Sequence, residues 1–420
     1  MKTGLNFLVA AKRCEIAELR QLALTSALVN VTGRLVHALQ RERGLSNLYL
    51  GSQGTLFTTM RAQQIQQSQQ IEAELRACFD SLDTETARLG HGARLFSRIA
   101  YVLHGLDALG GLREQVETLT WNTRQSTDAY VRLIAGLLAV VFEAADSASD
   151  PEISRLLVAL FNFMQGKEFA GQERAAGSAL FASGRAEVAE QQRLLHFIES
   201  QERCLQVFSE FANPQAADLW ISSQASAMLA ELERLRRVLC TASDGAPLNA
   251  QLSQAWFDCC TRRIDRMKSV EDRLTLDLLR ACEDKILAAT RELESFHALN
   301  PQPSPETDAL SFFRDTRVEI PPAPATSGYG LQLERSILDL VQEQARRLQT
   351  MGEELDTVRA SLNERKLIER AKGLLMAHRQ LTEEEAHKTM RQMAMNQNRR
   401  LIEVAEAVLA MADVLPHRRP

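Results

Sequence analysis

Residues 28–50 read LVNVTGRLVHALQRERGLSNLYL. At 100° per residue Leu28, Leu35, Leu39, Ser46 and Leu50 fall on one face, which predicts a helix with a buried stripe. The spacing returns in Ile153, Leu157, Leu160, Met164 and Gly171, and again in Leu229, Leu232, Leu235 and Leu239. No run alternates in polarity between hairpin turns. Only 5% of the residues are aromatic, and 20 Gly with 11 Pro among 420 residues are too few for the many turns of an all-β fold. The fold class is therefore all-α, with helices of roughly 20 to 30 residues packed as up-and-down bundles. Residues 42–49 (ERGLSNLY) and 173–180 (ERAAGSAL) are faintly alike, and each lies near the end of a long helix. That likeness predicts two bundles.

Charge on the apolar faces is the informative feature. Arg41 points away from the first stripe, Glu42 and Arg43 flank it, and Ser46 sits in its centre. On the second long helix Lys167, Glu168, Gly171 and Arg174 lean toward the stripe, while Glu173 points away. On the later helix Arg236 leans inward, and Arg234 and Arg237 face solvent. A half-buried arginine is costly unless paired. Arg43, Arg174 and Arg236 are therefore either structural ion pairs, for example Arg43 with Glu42, or donors reserved for a planar oxyanion.

Proline divides the chain. Six of the eleven lie between Pro301 and Pro324, so residues 300–330 read as a semi-rigid linker after a helical region, 1–299. Beyond it Ile337, Val341, Gln344, Leu348, Met351, Leu355, Val358 and Leu362 alternate in steps of four and three. This heptad seam reads as a coiled coil over 331–362, and hence as a homodimer, or else as a long helix packed against its own domain. The helix runs on to His378, Thr382 and Glu385 form a capping box for the next helix, and a last helix starts at Leu401. Residues 363–420 hold 11 Lys and Arg against 8 Asp and Glu, a net +3, so the rest of the chain carries −8. Arg365, Lys372 and Arg379 recur every seven residues beside the small Ala371 and Gly373, with Arg399 and Arg400 near the last helix. Such a stripe suits a phosphate backbone or is a solvated helix face.

Other functions find no support. The phosphate-cradling glycine loop, the dinucleotide fingerprint, the nucleophile elbow and the zinc-protease helix motif are all missing, and eight scattered histidines show no metal-ligand spacing. No catalytic residue, metal or cofactor is expected. Seven cysteines without a CxxC pair read as buried thiols of a reducing compartment. The longest apolar run, 133–142, is about half of what spans a bilayer, and the N-terminus carries no secretory signal, so a cytoplasmic protein without a membrane partner is expected.

Two resemblances follow from these residues. R-x-x-IERAKGLLM at 365–376, LTEEEAHKTMRQMA at 381–394 and LIEVAEAVL at 401–409 resemble the ANTAR domain. That resemblance implies a three-helix RNA-binding module of transcription antiterminators, dimeric through the preceding coiled coil and directed at leader RNA stem-loops. It places RNA contacts on Ala371, Lys372, Gly373 and the basic residues around them, Arg365 and Arg379, extending to Arg399 and Arg400. QRERGLS at 40–46, GKEFAGQERA at 166–175 and the stretch 256–279 resemble the NIT domain. That resemblance implies two four-helix bundles that bind nitrate or nitrite between arginines near their junction. Arg43 fits the motif, with Ser46 beside it. Its partner stays open, since Arg174 has the better motif and Arg236 the better position at a bundle interface.

The order NIT then ANTAR is similar to nitrate-responsive antiterminators of nitrate assimilation operons. Nothing in 1–299 resembles a phosphoacceptor receiver domain. A one-component switch is expected, in which the anion licenses RNA binding. The alternative is a helical interaction scaffold with structural arginines, whose RNA-binding output answers to a partner protein.

Overall fold

The computed structural model describes residues 4–82, 92–224, 227–298, 329–379, 381–397 and 399–412. Twelve helices form among them: α1 (Gly4–Gly51), α2 (Thr58–Asp80), α3 (Gly92–Glu117), α4 (Thr123–Ser147), α5 (Pro151–Ser183), α6 (Val188–Phe211), α7 (Pro214–Gln224), α8 (Ala227–Thr241), α9 (Leu252–Ala298), α10 (Tyr329–Arg379), α11 (Glu383–Gln397) and α12 (Leu401–Ala412). The only β pairing among the described residues is a single isolated bridge, Arg185 with Pro247, which ties the α5–α6 turn to the segment before α9. The fold is all-α, as the periodicity predicts.

Helices α1 to α4 pack together, and α5, α6, α8 and α9 form a second group. The two groups are not separate. The first half of α1 lies along α9, and one core runs from Leu35 and Val102 through Leu157 to Met267 and Leu274. A second core joins Phe181, Leu194, Leu235 and Trp256 at the far end of α5. Helix α5 is central to both, and from Leu156 to Ser178 none of its residues is exposed. Glu173, expected to point outward, is 1% exposed and faces the second group. One window of α1 is long and apolar enough to cross a membrane, but most of it is buried inside the protein, so its apolar surface belongs to the core.

Local sequence sets the helix ends. Asn122 and Gln125 make a reciprocal capping box at α4. Asp150 accepts from Ile153 N at 3.0 Å, with Pro151 in the first turn of α5. Gly184 ends α5 with φ 70°, a left-handed value that glycine adopts freely. In the C-terminal unit Thr382 N donates to Glu385 Oε2 at 2.8 Å, and Glu385 N donates to Thr382 Oγ1 at 3.3 Å.

The heptad seam divides. Leu348 is 56% exposed, whereas Val358 and Leu362 are buried in the core of the chain's own N-terminal helices. The lower seam is thus covered within one chain. The side chains of Ile337, Val341 and Gln344, the linker up to residue 328 and the tail from 413 lie outside the described residues. Helices α10 to α12 close around Ala371, Ala386, Met390, Val404 and Ala405.

Candidate functional site

Helices α1 and α5 meet through two glycines. A Cβ added at Gly171 would stand 2.7 Å from Arg43 Nη2, and one added at Gly44 would stand 3.2 Å from Arg174 Nη2. Each guanidinium therefore passes over the bare backbone of the other helix. Arg43 is fully enclosed. Its Nη1 donates to Glu168 Oε1 at 2.5 Å and its Nη2 to Glu168 Oε2 at 3.2 Å. Gln40 and Gln172 donate to the two oxygens of the same carboxylate at 2.8 and 2.9 Å.

Arg174 is placed differently. It donates to Thr261 Oγ1 at 2.9 Å, and its guanidinium carbon lies 4.9 Å from the centre of the Phe257 ring. Among the described residues no carboxylate reaches ion-pair distance of it. Burial, then the charge of Arg43, pull Arg174 down from the ordinary arginine range to about 10. Two guanidiniums thus meet beside a single carboxylate that only Arg43 holds, an arrangement suited to a planar oxyanion.

The other sequence-predicted donors belong to neighbouring clusters. Arg236 donates from Nε to Glu173 Oε1 at 2.7 Å and from Nη2 to Oε2 at 2.8 Å, and its Nη1 reaches Glu233 at 2.7 Å. Burial works against its charge, but the two carboxylates prevail and raise its pKa. That is a satisfied structural pair, and Arg236 is not beside Arg43. Ser46 Oγ lies 3.4 Å from Tyr130 Oη, in a network where Tyr130 and Arg113 both donate to Glu42 at 2.8 Å. Arg43 and Glu42, adjacent in sequence, thus serve different helices.

A cleft of about 1260 Å³ separates α3 to α6 from α10 and α11. Glu168 and Gln172 lie on its wall together with Phe161, Arg365, Arg370 and Lys372. Across it Arg365 Nη1 donates to Asn162 Oδ1 at 2.9 Å and stacks 4.6 Å over the Phe161 ring. Lys366 Nζ donates to Asp146 Oδ1 at 2.5 Å, and Arg391 Nη1 to Glu199 Oε2 at 2.5 Å. His387 of α11 rests 5.5 Å from His196 of α6.

The comparisons with known proteins agree with this division. The family described as nitrate and nitrite sensing, NIT, matches residues 34–279, and the ANTAR domain matches residues 356–409. The chain belongs to the NIT family. It is 34% identical over 407 residues to the nitrate regulatory protein of Klebsiella oxytoca, covering 97% of this chain and 94% of that one. It is similar throughout to the solved structure of the NasR transcription antiterminator, with a TM-score of 0.60 and 31% identity over 98% of this chain and 99% of that one.

The expected RNA face of the ANTAR unit is only partly open. Ala371 is fully buried in the unit's core. Lys372, expected on an exposed stripe, is 7% exposed and bridges Glu369 and Glu383, both at 2.8 Å. It fastens α10 to α11 because its seven-residue register turns toward α11 there. Arg365 is held by the NIT helices. Gly373 and Arg379 face solvent, with nothing within 4 Å of the position a Cβ would take at Gly373. Arg399 and Arg400 are exposed and both pair with Glu403. Sequence reasoning passed over Gln40, Gln172, Thr261 and Lys366. The i,i+4 spacing of Glu168 and Gln172 was the one local signal for two of the groups around Arg43.

Proposed function

We propose that the chain is a one-component switch. Nitrate or nitrite enters between Arg43 and Arg174, and the ANTAR unit is then licensed to bind leader RNA stem-loops. The general role, nitrate-responsive transcription antitermination, follows from the pairing of NIT and ANTAR domains and from the two relatives. It is a regulator's role, not an enzyme's. Location in the cytoplasm, where nascent RNA is made, and a homodimer through the upper seam belong to the same reading.

One observation carries it: α5 serves both ends. Phe161 and Asn162 hold Arg365 of the ANTAR unit, and Glu168, Gly171 and Arg174 of the same helix form the arginine crossing. Twelve residues of helix, about 18 Å, separate Asn162 from Arg174. A ligand that shifts or rotates α5 at the crossing moves the surface on which Arg365 and Lys366 are held. The ligand favours whichever arrangement it binds better, and the coupling is reciprocal. In this reading the contacts of Lys366 with Asp146 and of Arg391 with Glu199 belong to the silent arrangement, because they engage basic side chains of α10 and α11 with carboxylates of the NIT half.

The test is a titration of the full chain with a leader stem-loop at fixed salt, with and without nitrate. Nitrate should tighten RNA binding in the wild type and have no effect in Arg174→Ala. The scaffold alternative predicts no nitrate effect in either protein.

A further inference from the structure

The arginine crossing holds a charge count that bears on which anions it accepts. Four donors converge on the two oxygens of Glu168: Nη1 and Nη2 of Arg43, and the side-chain amides of Gln40 and Gln172. Both oxygens are thus occupied by N–H donors. Glu168 is 2% exposed, so water does little to screen it. Arg174 supplies a second cation whose contacts are a hydroxyl and an aromatic face. Other acids are absorbed elsewhere: Glu42 by Arg113, Glu173 by Arg236, and Glu271 by Lys167 and Lys268. Asp265, which also acts on Arg174, is exposed and its influence is weaker than that of Arg43.

Taken together, Arg43, Arg174 and Glu168 carry one net positive charge. We infer that Glu168 is a valence filter: it limits the crossing to monovalent oxyanions and rejects divalent ones such as sulfate. This rests on the reading of the crossing as the nitrate site. A monoanion brings the enclosed charge to zero. A dianion would leave one negative charge in a poorly hydrated place, which is heavily penalised. Arginine forks alone would not achieve this, because they bind sulfate and phosphate readily. The filter depends on Glu168 keeping its enclosed place on Arg43, since in the cleft its charge would be hydrated and screened.

The experiment is isothermal titration of the full chain with potassium nitrate and potassium sulfate at fixed ionic strength and neutral pH. The wild type should bind nitrate at least tenfold more tightly than sulfate. Glu168→Gln has nearly the same size but raises the net charge to two, so the sulfate-to-nitrate affinity ratio should rise at least tenfold. Glu168→Asp keeps the charge and should keep the wild-type ratio. An unchanged ratio in Glu168→Gln would show that size, not charge, excludes sulfate, and would overturn the inference. Should that variant fail to fold, Glu168→Ser removes the same charge in a smaller side chain and must raise the ratio likewise; an unchanged ratio there overturns the inference too. Wild-type protein that takes sulfate as tightly as nitrate ends it without any variant. A blank nitrate titration removes the receptor reading itself, whereas nitrate binding with an unchanged ratio removes only the filter.

Discussion

Arg43 and Arg174 lie across each other's helix, each with its Nη2 set over a glycine of the partner helix, Gly171 and Gly44. The closeness is asymmetric. At Gly171 a methyl would stand 2.7 Å from Arg43, too near for the guanidinium to keep its place, while at Gly44 the gap is 3.2 Å. Gly171→Ala should therefore displace Arg43 without breaking the helix, where alanine is favoured over glycine by about 1 kcal/mol. Differential scanning calorimetry should show a ligand-free Tm within a few degrees of wild type and loss of the nitrate-induced rise. A full nitrate response in this variant would mean that the placement of Arg43 is irrelevant to binding.

The two candidate partners of Arg43 should behave oppositely. Arg174 has no carboxylate beside it among the described residues, so Arg174→Ala removes an uncompensated charge and should leave stability unchanged or slightly higher, with nitrate binding abolished. Arg236→Ala strands Glu173, whose carboxyl is held below its ordinary range against the cost of burial mainly by Arg236, with help from Arg263. Breaking a buried pair costs about 3–5 kcal/mol. Arg263, 3.9 Å from Glu173, places the expected loss toward the lower end. Urea denaturation of both variants checks the contrast, and equal stabilities would refute the assignment.

Arg43 and Arg174 were legible as inward-leaning arginines from the 3.6-residue period alone, and so were the helical class and the capping box of α11. Their pairing was not. Helix periodicity states which side of its own helix a residue occupies, but which helices cross at Gly44 and Gly171 is a tertiary fact. The same limit hid Arg113 as the partner of Glu42 and misplaced Glu173, because the middle of α5 is covered on all sides and an outward direction has no meaning there. Lys372 was misread for a related reason: a basic residue in register with Arg365 and Arg379 looks solvent-facing until α11 brings Glu383 onto it.

Acid should loosen the contact between the two halves. His387 is lowered from 6.5 to about 3, by burial first and then by Arg203, His196, Lys372 and Arg391, with His196 across the contact lowered as well. A histidine whose folded pKa lies below its free value binds more protons once released. Its contribution is therefore complete above pH 6.5 and is lost as pH falls from 6.5 toward 3. Between pH 7.5 and 5.5 the loss from His387 is on the order of 1 kcal/mol. Glu199 and Glu383 oppose the trend only weakly, since they are already engaged by Arg391 and Lys372. The Tm of the wild type should fall over this interval, and His387→Gln should flatten the slope. Identical slopes would place the acid sensitivity elsewhere.

The last prediction concerns the hold on the ANTAR unit. Asp146 takes Lys366 at 2.5 Å and Glu199 takes Arg391 at 2.5 Å, so two carboxylates of the NIT half occupy cations of the output half. Exposed pairs of the Arg391–Glu199 kind contribute about 0.2–1 kcal/mol, and the partly enclosed Lys366–Asp146 pair, beside the Phe142 ring, contributes somewhat more. Asp146→Asn combined with Glu199→Gln should therefore shift the docked equilibrium by roughly 1–2 kcal/mol, about five- to thirtyfold in RNA affinity without nitrate. Removing two negative charges would also strengthen RNA binding nonspecifically, and the two causes must be separated. Release from docking raises only the nitrate-free affinity, because nitrate-saturated wild type is already released. A general charge effect raises both affinities equally. Titration of a leader stem-loop with and without saturating nitrate distinguishes them, and an undiminished nitrate effect in the double variant would show that these pairs do not hold the switch closed.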